Sequence, residues 1–292
     1  MNIKKTIEEK AYAKLNISLD VSRRRADGFH DMRMVMQTVS LCDDISIELR
    51  NEPGIWAKSN LQYIPSDDRN LAVKAARLFF REAGIPNTGA VISMRKSIPV
   101  GAGLAGGSAD GAAVFRALNR YYEGAVSEER LFALADETGS DVSYCMKGGT
   151  ALVEGKGDII RPIDPFPDCV FVICKPEFSV TTVELFKALD RVKLRIHPDT
   201  AGIIDAVEKK DIRQICRRIY NVFEDVPDRR MKTVSVIKRQ LMDFGAEGAV
   251  MTGTGSAVFG IFTDAEKAAA ACPALEKEYG FCVCASPVGQ LM

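Results

Sequence analysis

The apolar positions in the first half of the chain alternate between a two-residue period, typical of strands, and a helical period. Strand-like runs cover residues 11–21, 34–38, 44–49, 90–94 and 149–153, and helical patterns cover residues 70–83, 108–121 and 128–138. Within residues 11–21 the polar side chains share one face of the strand and the apolar ones share the other, which predicts a half-buried strand. For the helix over residues 70–83, Asp67 or Asp68 is the predicted N-cap.

The periodicity breaks near residues 155–165, where glycines and prolines interrupt the pattern. Beyond it, strands are predicted at 170–174, 249–252, 257–262 and 282–287, and helices at 182–188, 201–208, 212–221, 228–244 and 265–279. With the extra helices set aside, this order is β-α-β-β-α-β, the ferredoxin-like arrangement. We therefore predict an α+β protein of two domains, residues 1–160 and 161–292, rather than a doubly wound sheet.

Composition narrows the class of protein. Lys plus Arg and Asp plus Glu both total 39, so the formal net charge is zero and nothing favours a nucleic-acid partner. The eight cysteines form no C-x-x-C pair, which favours reduced thiols in a cytoplasm. Two histidines are too few for a multi-histidine metal site, and no metal-ligating residues are predicted. The N-terminal residues 1–10 lack the apolar segment of a secretion signal and no apolar run is long enough to cross a membrane, so we expect a soluble cytoplasmic protein.

A glycine-rich loop over residues 99–110 leads directly into the predicted helix at 108–121. Such a loop can present bare backbone N–H groups to a ligand, and the start of the helix adds partial positive charge. This combination predicts a phosphate-binding site. A glycine-rich turn without a ligand is the plain alternative.

The same loop matches the dinucleotide fingerprint G-x-G-x-x-G at Gly101, Gly103 and Gly106. That fingerprint belongs after a short buried strand, with an acidic residue about 20 positions later. Here the preceding strand carries Arg95 and Lys96, and a turn follows where the acidic residue is expected. No Walker lysine follows the glycines either, so the loop differs from both standard nucleotide motifs.

Four further groups of residues could take part in chemistry. Lys14 and Asn16 lie on the polar face of the first predicted strand, and Phe29 and His30 form a turn that could stack on a base and hydrogen-bond to its edge. Asp141 follows glycine and serine in a tight turn, where it could accept a proton from a substrate hydroxyl. A second glycine-rich turn lies within residues 250–259. A solvated strand face, a surface turn, a helix cap and a hairpin turn are the respective structural alternatives.

Together these residues resemble the GHMP kinase superfamily, which combines a lysine-bearing N-terminal strand, a glycine-rich phosphate loop and a C-terminal glycine turn. The segment from Arg25 to His30, R-A-D-G-F-H, resembles the branch that phosphorylates a cytidine-diphosphate-linked methylerythritol in the non-mevalonate route to isoprenoid precursors. The likeness extends from residue 11 to about residue 260. It implies a two-domain GHMP kinase fold, with an N-terminal ribosomal S5 domain 2-like domain, a C-terminal ferredoxin-like domain and a cleft between them for ATP and substrate.

The resemblance also implies roles for individual residues. Asp141 would be the catalytic base and Lys14 its partner. Asn16, Phe29, His30, Thr182 and Phe186 would bind the substrate, with His30 reading a cytosine that stacks between the two aromatic rings. The ATP-binding residues would be Asn70, near the adenine, and the loop residues Pro99, Val100, Gly101, Ala102, Gly103, Leu104, Ala105, Gly106, Gly107 and Ser108.

The implied reaction is transfer of the γ-phosphoryl group of ATP to an alcohol, with Mg²⁺ as a cofactor and a monomer or homodimer as the working state. Two positions depart from the family pattern: Ala105 replaces a glycine of the loop, and Ser143 replaces a proline after Asp141. A GHMP kinase for another small alcohol, such as homoserine or mevalonate, is the nearest alternative. A non-catalytic nucleotide-binding module and a nicotinamide-dependent oxidoreductase are more distant ones.

Overall fold

Two β-sheets, each covered by helices, organise the chain in a computed structural model that describes residues 6–85 and 88–292. The strands are β1 (Thr6–Arg24), β2 (His30–Arg50), β3 (Gly54–Ser59), β4 (Gly89–Arg95), β5 (Thr150–Gly155), β6 (Ile159–Pro162), β7 (Val170–Cys174), β8 (Tyr220–Asn221), β9 (Gly248–Met251), β10 (Val258–Phe262) and β11 (Cys282–Ala285). The helices are α1 (Leu71–Glu82), α2 (Gly106–Tyr121), α3 (Glu128–Thr138), α4 (Val142–Lys147), α5 (Thr182–Leu189), α6 (Thr200–Glu208), α7 (Ile212–Cys216), α8 (Met231–Asp243) and α9 (Ala265–Tyr279).

The first sheet has the order β3-β4-β2-β1-β8. Strand β4 pairs with residues 44–50 of β2, whereas β5 pairs with residues 32–37 of β2 and β6 pairs with β5. Two separate strands were expected at 34–38 and 44–49, and this prediction is wrong because β2 is continuous. The polar residues Asp43 and Asp44 interrupt the alternation, but the strand keeps pairing with β1 across them. A register shift lies between Tyr12 and Lys14, which pair with Cys42 and Thr38.

The second sheet has the order β11-β7-β10-β9, with antiparallel pairs throughout. Numbered within this domain, that order is 4-1-3-2, so the predicted ferredoxin-like arrangement is confirmed. Helices α8 and α9 pack against the sheet through apolar side chains such as Ile237 and Ala271. Helix α5 follows β7 in the sequence. It contributes to the cleft rather than to the cover of this sheet.

Several predicted boundaries need correction. The N-cap of α1 is Asn70 rather than Asp67 or Asp68, because its side-chain oxygen accepts the N–H of Ala72. The helix expected over 212–221 ends at Cys216, and the chain then forms β8 beside β1. Strands β3 and β6 and helix α4 were not predicted, because each is too short for its periodicity to stand out.

The chain crosses between the two sheets more than once. Strand β6 spans the predicted domain boundary at residue 160 and pairs with β5, so the boundary itself stays a prediction. Residues after β11 return to the first sheet, where the Val288 N–H donates to the Thr38 carbonyl over 2.8 Å. The eight cysteines are free thiols. Residues 1–5 of the N-terminal segment lie outside the described part of the chain, and within that part no helix combines the length and apolarity needed to span a bilayer.

Candidate active site

A cavity of about 450 Å³ lies between the two domains. Its lining includes all ten predicted loop residues from Pro99 to Ser108, together with Lys14, Asn16, Asn70, Asp141, Thr182 and Phe186. The second glycine turn closes it from the other domain through residues 253–255. The structure therefore brings together most of the side chains that the sequence singled out, and Phe29 and His30 lie outside the lining.

The glycine loop is shaped by backbone conformations that favour glycine. Gly101 and Gly103 have φ angles of +65° and +78°, and Ala105, at the N-cap of α2, has a φ of +58°. No side chain caps α2, so the first N–H groups of the helix face the cavity without a protein capping bond. This is the arrangement that binds phosphate, with the helix dipole adding to the backbone donors.

Hydrogen bonds to the backbone carbonyls of the loop hold it from both domains. Its Leu104 carbonyl accepts the N–H of Lys14 at 3.2 Å, and its Ala102 carbonyl accepts the N–H of Ala257 at 3.1 Å. Gly103 approaches the second turn so closely that an added Cβ would lie 2.2 Å from the Thr252 carbonyl oxygen. Only glycine permits this contact, so the two glycine turns form one unit across the cleft.

Lys14 and Asp141 face each other in the cavity. The Lys14 Nζ lies 4.0 Å from the Asp141 Oδ2, and the lysine side chain is 6% exposed while the aspartate is 31% exposed. Burial lowers the pKa of Lys14, and the nearby Asp141 carboxylate opposes part of that shift. Asp141 is the N-cap residue of α4, yet its side chain makes no capping hydrogen bond. Its carboxylate therefore stays available to a ligand in the cavity.

Asn16 joins this pair to the second domain. Its side-chain oxygen accepts hydrogen bonds from Lys14 Nζ at 2.6 Å and from the Gly253 N–H at 3.0 Å. The Asn16 N–H donates to the Thr252 hydroxyl at 3.0 Å. Asn16 was predicted to bind the substrate, but its side-chain oxygen is already occupied by these protein donors and fixes the lysine. A substrate contact by Asn16 would have to use its nitrogen.

Asn70 is likewise occupied by the protein. Its oxygen caps α1, and its nitrogen donates to the Pro65 carbonyl at 2.8 Å. The residue is 8% exposed and lines the cavity beside the loop. It orders one wall of the predicted nucleotide site, and its predicted contact with adenine stays a prediction.

The other predicted substrate-binding residues divide into two groups. Thr182 and Phe186, on α5, line the cavity. The His30 ring packs on Phe186 with 4.7 Å between ring centroids, and its Nε2 hydrogen-bonds to Asp190 Oδ1 at 2.7 Å. Phe29 is 56% exposed and lies outside the cavity lining. The substrate roles of these residues stay predictions.

Sequence reasoning missed residues that hold the site in place. Asn221 donates from its side chain to the carbonyls of Met251 and Gly253, both at 2.8 Å, and so shapes the second glycine turn. Thr252 links that turn to Asn16, and Asp190 orients His30. A buried asparagine in an apolar segment was the available signal for Asn221. No local sequence signal marked Asp190, because its partner His30 is 160 positions away.

Comparison with known proteins identifies the family. The GHMP kinases N terminal domain matches residues 70–149, and the GHMP kinases C terminal domain matches residues 203–280. A 4-diphosphocytidyl-2-C-methyl-D-erythritol kinase of Clostridium botulinum is 43% identical over 270 residues, which are 92% of this chain and 96% of that protein. This chain belongs to the 4-diphosphocytidyl-2-C-methyl-D-erythritol kinase family.

Solved structures agree with this assignment. A crystal structure of a 4-(cytidine 5'-diphospho)-2C-methyl-D-erythritol kinase matches with a TM-score of 0.82 and 30% identity, covering 97% of this chain and 99% of that one. A homoserine kinase from Cytophaga hutchinsonii matches with a TM-score of 0.75 and 20% identity, covering 99% of this chain and 96% of that one, which supports the fold alone. The predicted family, the GHMP kinase fold and the class of ATP-dependent kinase are confirmed. Membership of the family excludes the nicotinamide-dependent oxidoreductase.

Proposed function

We propose that this protein transfers the γ-phosphoryl group of ATP to the C2 hydroxyl of 4-diphosphocytidyl-2-C-methyl-D-erythritol. The observation that carries the proposal is the pairing of Lys14 with Asp141, 4.0 Å apart, in the same cavity as the glycine loop. The family supplies the substrate class, and the cavity supplies a phosphate site beside a lysine and a free carboxylate. A non-catalytic nucleotide-binding module would not need that pair.

The geometry suits phosphoryl transfer, in which positioning and charge neutralisation supply most of the rate. The N–H groups at the start of α2 would hold the phosphates of ATP. Asp141 would orient the C2 hydroxyl and take its proton as the new P–O bond forms and the bond to the β-phosphate oxygen breaks. Lys14, fixed by Asn16, would offset the charge on the transferring group.

Mg²⁺ fits this site as a companion of the nucleotide. No group of three or more His, Cys, Asp or Glu side chains within residues 6–85 and 88–292 is arranged to hold a metal ion. An ion that keeps several waters and binds mainly to phosphate oxygens needs no such cage. The Asp141 carboxylate in the cavity lining would be available as a further ligand, and the ion would supply further charge neutralisation.

The substrate end of the cavity is formed by α5. We assign Thr182 to the methylerythritol end of the substrate, Phe186 to one face of the cytosine, and His30, held by Asp190, to the cytosine edge. Phe29 would have to move toward the cavity to stack on the base, because its ring is exposed and lies 5.7 Å from the Lys156 ammonium. We also propose that the enzyme is soluble and cytoplasmic, that it works as a monomer or homodimer, and that it has no nucleic-acid partner.

The Asp141→Asn variant tests the catalytic assignment. It removes the proton acceptor while keeping the shape of the side chain, so kcat should fall by about 10²- to 10⁴-fold and ATP affinity should change little. Asp164→Asn, in an exposed loop outside the cavity lining, is the control and should keep normal kinetics. Turnover of the Asp141 variant within a few-fold of the parent would refute the assignment.

A panel of acceptor alcohols tests the substrate. Transfer of label from γ-labelled ATP should be much faster to 4-diphosphocytidyl-2-C-methyl-D-erythritol than to homoserine or mevalonate. A preference for either of the small alcohols would overturn the substrate while leaving the kinase class in place.

A further inference from the structure

Three buried charged residues lie directly beneath the phosphate loop. Lys96 follows β4, Asp43 lies in β2 and Asp110 lies in α2, and their side chains are 3%, 0% and 5% exposed. The Lys96 Nζ contacts Asp43 Oδ2 and Asp110 Oδ2, each at 2.5 Å. Lys96 and Asp110 also line the cavity. We call these three residues the Lys96 cluster.

The Lys96 cluster fixes both ends of the loop. The other oxygen of Asp43 accepts the N–H groups of Ser97 and Ile98, at 2.5 and 2.8 Å, just before the loop begins. Asp110 lies in the first turns of α2, just after the loop ends. The Lys96 Nζ also lies 3.5 Å from the position that a Cβ on Gly106 would occupy. The ammonium therefore lies against the loop backbone where the helix starts.

The charges of the cluster do not balance. Two carboxylates share one ammonium, so the fully ionised cluster carries one net negative charge in a buried position. The second oxygen of Asp110, Oδ1, is buried and has no hydrogen-bond partner among the described residues. A buried carboxylate oxygen without a partner is costly when ionised and acceptable when it carries a proton. Burial and the neighbouring Asp43 raise the pKa of Asp110 to about 7, although Lys96 acts against them.

The groups that face Asp110 come from three elements. Lys96 approaches from the end of β4, Asp43 from β2, and the Cys145 thiol from α4. Burial raises the pKa of Cys145 far above neutrality, so this thiol stays neutral in the working range. Burial acts to lower the pKa of Lys96, but Asp110 and Asp43 outweigh it and the net shift is upward, so the lysine stays charged. Asp110, whose second oxygen is buried without a partner and whose pKa is raised to about 7, is therefore the carboxyl group on which the inference rests.

We propose that Asp110 is a positioning residue that takes up a proton when ATP binds, so that its neutral form sets the working affinity of the loop for the phosphates. This inference rests on the proposed function only in that ATP phosphates occupy the loop. Phosphates at the start of α2 bring negative charge about one helical turn from Asp110, which disfavours the ionised carboxylate. Neutral Asp110 still accepts a hydrogen bond from Lys96 through Oδ2.

The Asp110→Asn variant tests the inference through the pH dependence of the KM for ATP between pH 6 and 8.5. The parent KM should rise by up to tenfold per pH unit above the pKa of Asp110. The amide mimics the neutral acid, so the variant should show a flatter profile near the acid-side value. Because ATP titrates in the same range, the difference between the two profiles is the readout. A residue that merely filled space would shift KM equally at every pH, and parallel profiles would overturn the inference.

Calorimetry of ATP binding at pH 7.5 gives a second readout, in which proton uptake by the parent is measured first and then compared with uptake by the variant. In buffers of different ionisation enthalpy, the observed heat should reveal net proton uptake by the parent, and less uptake by Asp110→Asn. Equal proton uptake in both proteins would overturn the inference alone. Absence of ATP binding by the parent would overturn the proposed function and this inference with it.

Discussion

Replacing Gly103 by alanine should cost far more than the same replacement at Gly84 or Gly101, which are also left-handed glycines. Gly103 has a φ of +78°, and its added Cβ would lie 2.2 Å from the Thr252 carbonyl oxygen and 3.0 Å from the carbonyl carbon. The left-handed conformation alone costs an alanine about 1–2 kcal/mol. The overlap is with backbone from the other domain, which no side-chain rotation relieves, and such overpacking adds about 1–3 kcal/mol. We therefore expect a loss of about 2–5 kcal/mol in the free energy of unfolding.

Two matched variants separate these costs in urea denaturation. Gly84 has a φ of +64° with no atom within 4 Å of an added Cβ, so Gly84→Ala should show the conformational cost alone. At Gly101, with a φ of +65°, the added Cβ meets the Ser179 Oγ at 3.2 Å, which can rotate away, and the Ser179 Cβ at 3.3 Å, which needs only a small shift. The Gly101→Ala variant should therefore resemble Gly84→Ala in stability, and Gly103→Ala should lose at least about 1 kcal/mol more than either.

The kinase assay adds an independent readout. Separating the two turns by about 1 Å should displace the loop relative to Lys14 and lower kcat/KM by about 10²-fold in Gly103→Ala. Stability of Gly103→Ala within about 0.5 kcal/mol of Gly84→Ala, with normal kinetics, would refute the argument that the turns act as one unit.

Two further predictions concern buried polar groups. Because burial lowers the pKa of Lys14, activity should decline on the alkaline side at a lower pH than an ordinary lysine would give. The pH–rate profile of Lys14→Arg should lack this alkaline decline, because arginine keeps its charge. A decline that persists in the arginine variant would assign it to another group. The buried Tyr144 hydroxyl donates to the Gly149 carbonyl at 2.7 Å and contacts Thr38 Oγ1 at 3.1 Å, so Tyr144→Phe should lose about 1–3 kcal/mol of stability in urea denaturation. Tyr63→Phe, at a residue that is 68% exposed, should lose almost nothing, and equal losses in the two variants would contradict the reasoning.

The parts of the fold with strong local signals could be predicted from the sequence. The second sheet follows from strands and helices whose periodicity is clear, and the loop follows from its glycines. By contrast, the continuity of β2 depends on pairing with β1 across Asp43 and Asp44, which local alternation cannot reveal. The N-cap at Asn70 was missed because neighbouring aspartates are equally good capping residues in isolation.

The candidate site shows the same division between local and long-range information. Lys14, Asp141 and the loop could be singled out because their motifs are short. The Lys96 cluster could not, because Asp43 and Asp110 are 53 and 14 positions from Lys96 and only the fold brings their charges together. The position of Phe29 outside the cavity likewise depends on how the turn between β1 and β2 packs, which its sequence does not determine.

The link between Asn16 and Gly253 also has a consequence for how the protein is made. Lys14 is held by Asn16, whose backbone N–H and side-chain oxygen also bond to Thr252 and Gly253, 236 and 237 positions later in the chain. During translation most strands of the first sheet can pair early. Asn16, which holds Lys14, lacks its bonds to the second glycine turn until that turn has left the ribosome. A nascent chain stopped before residue 252 would therefore carry both members of the proposed catalytic pair, Lys14 and Asp141, without the clamp that holds the lysine.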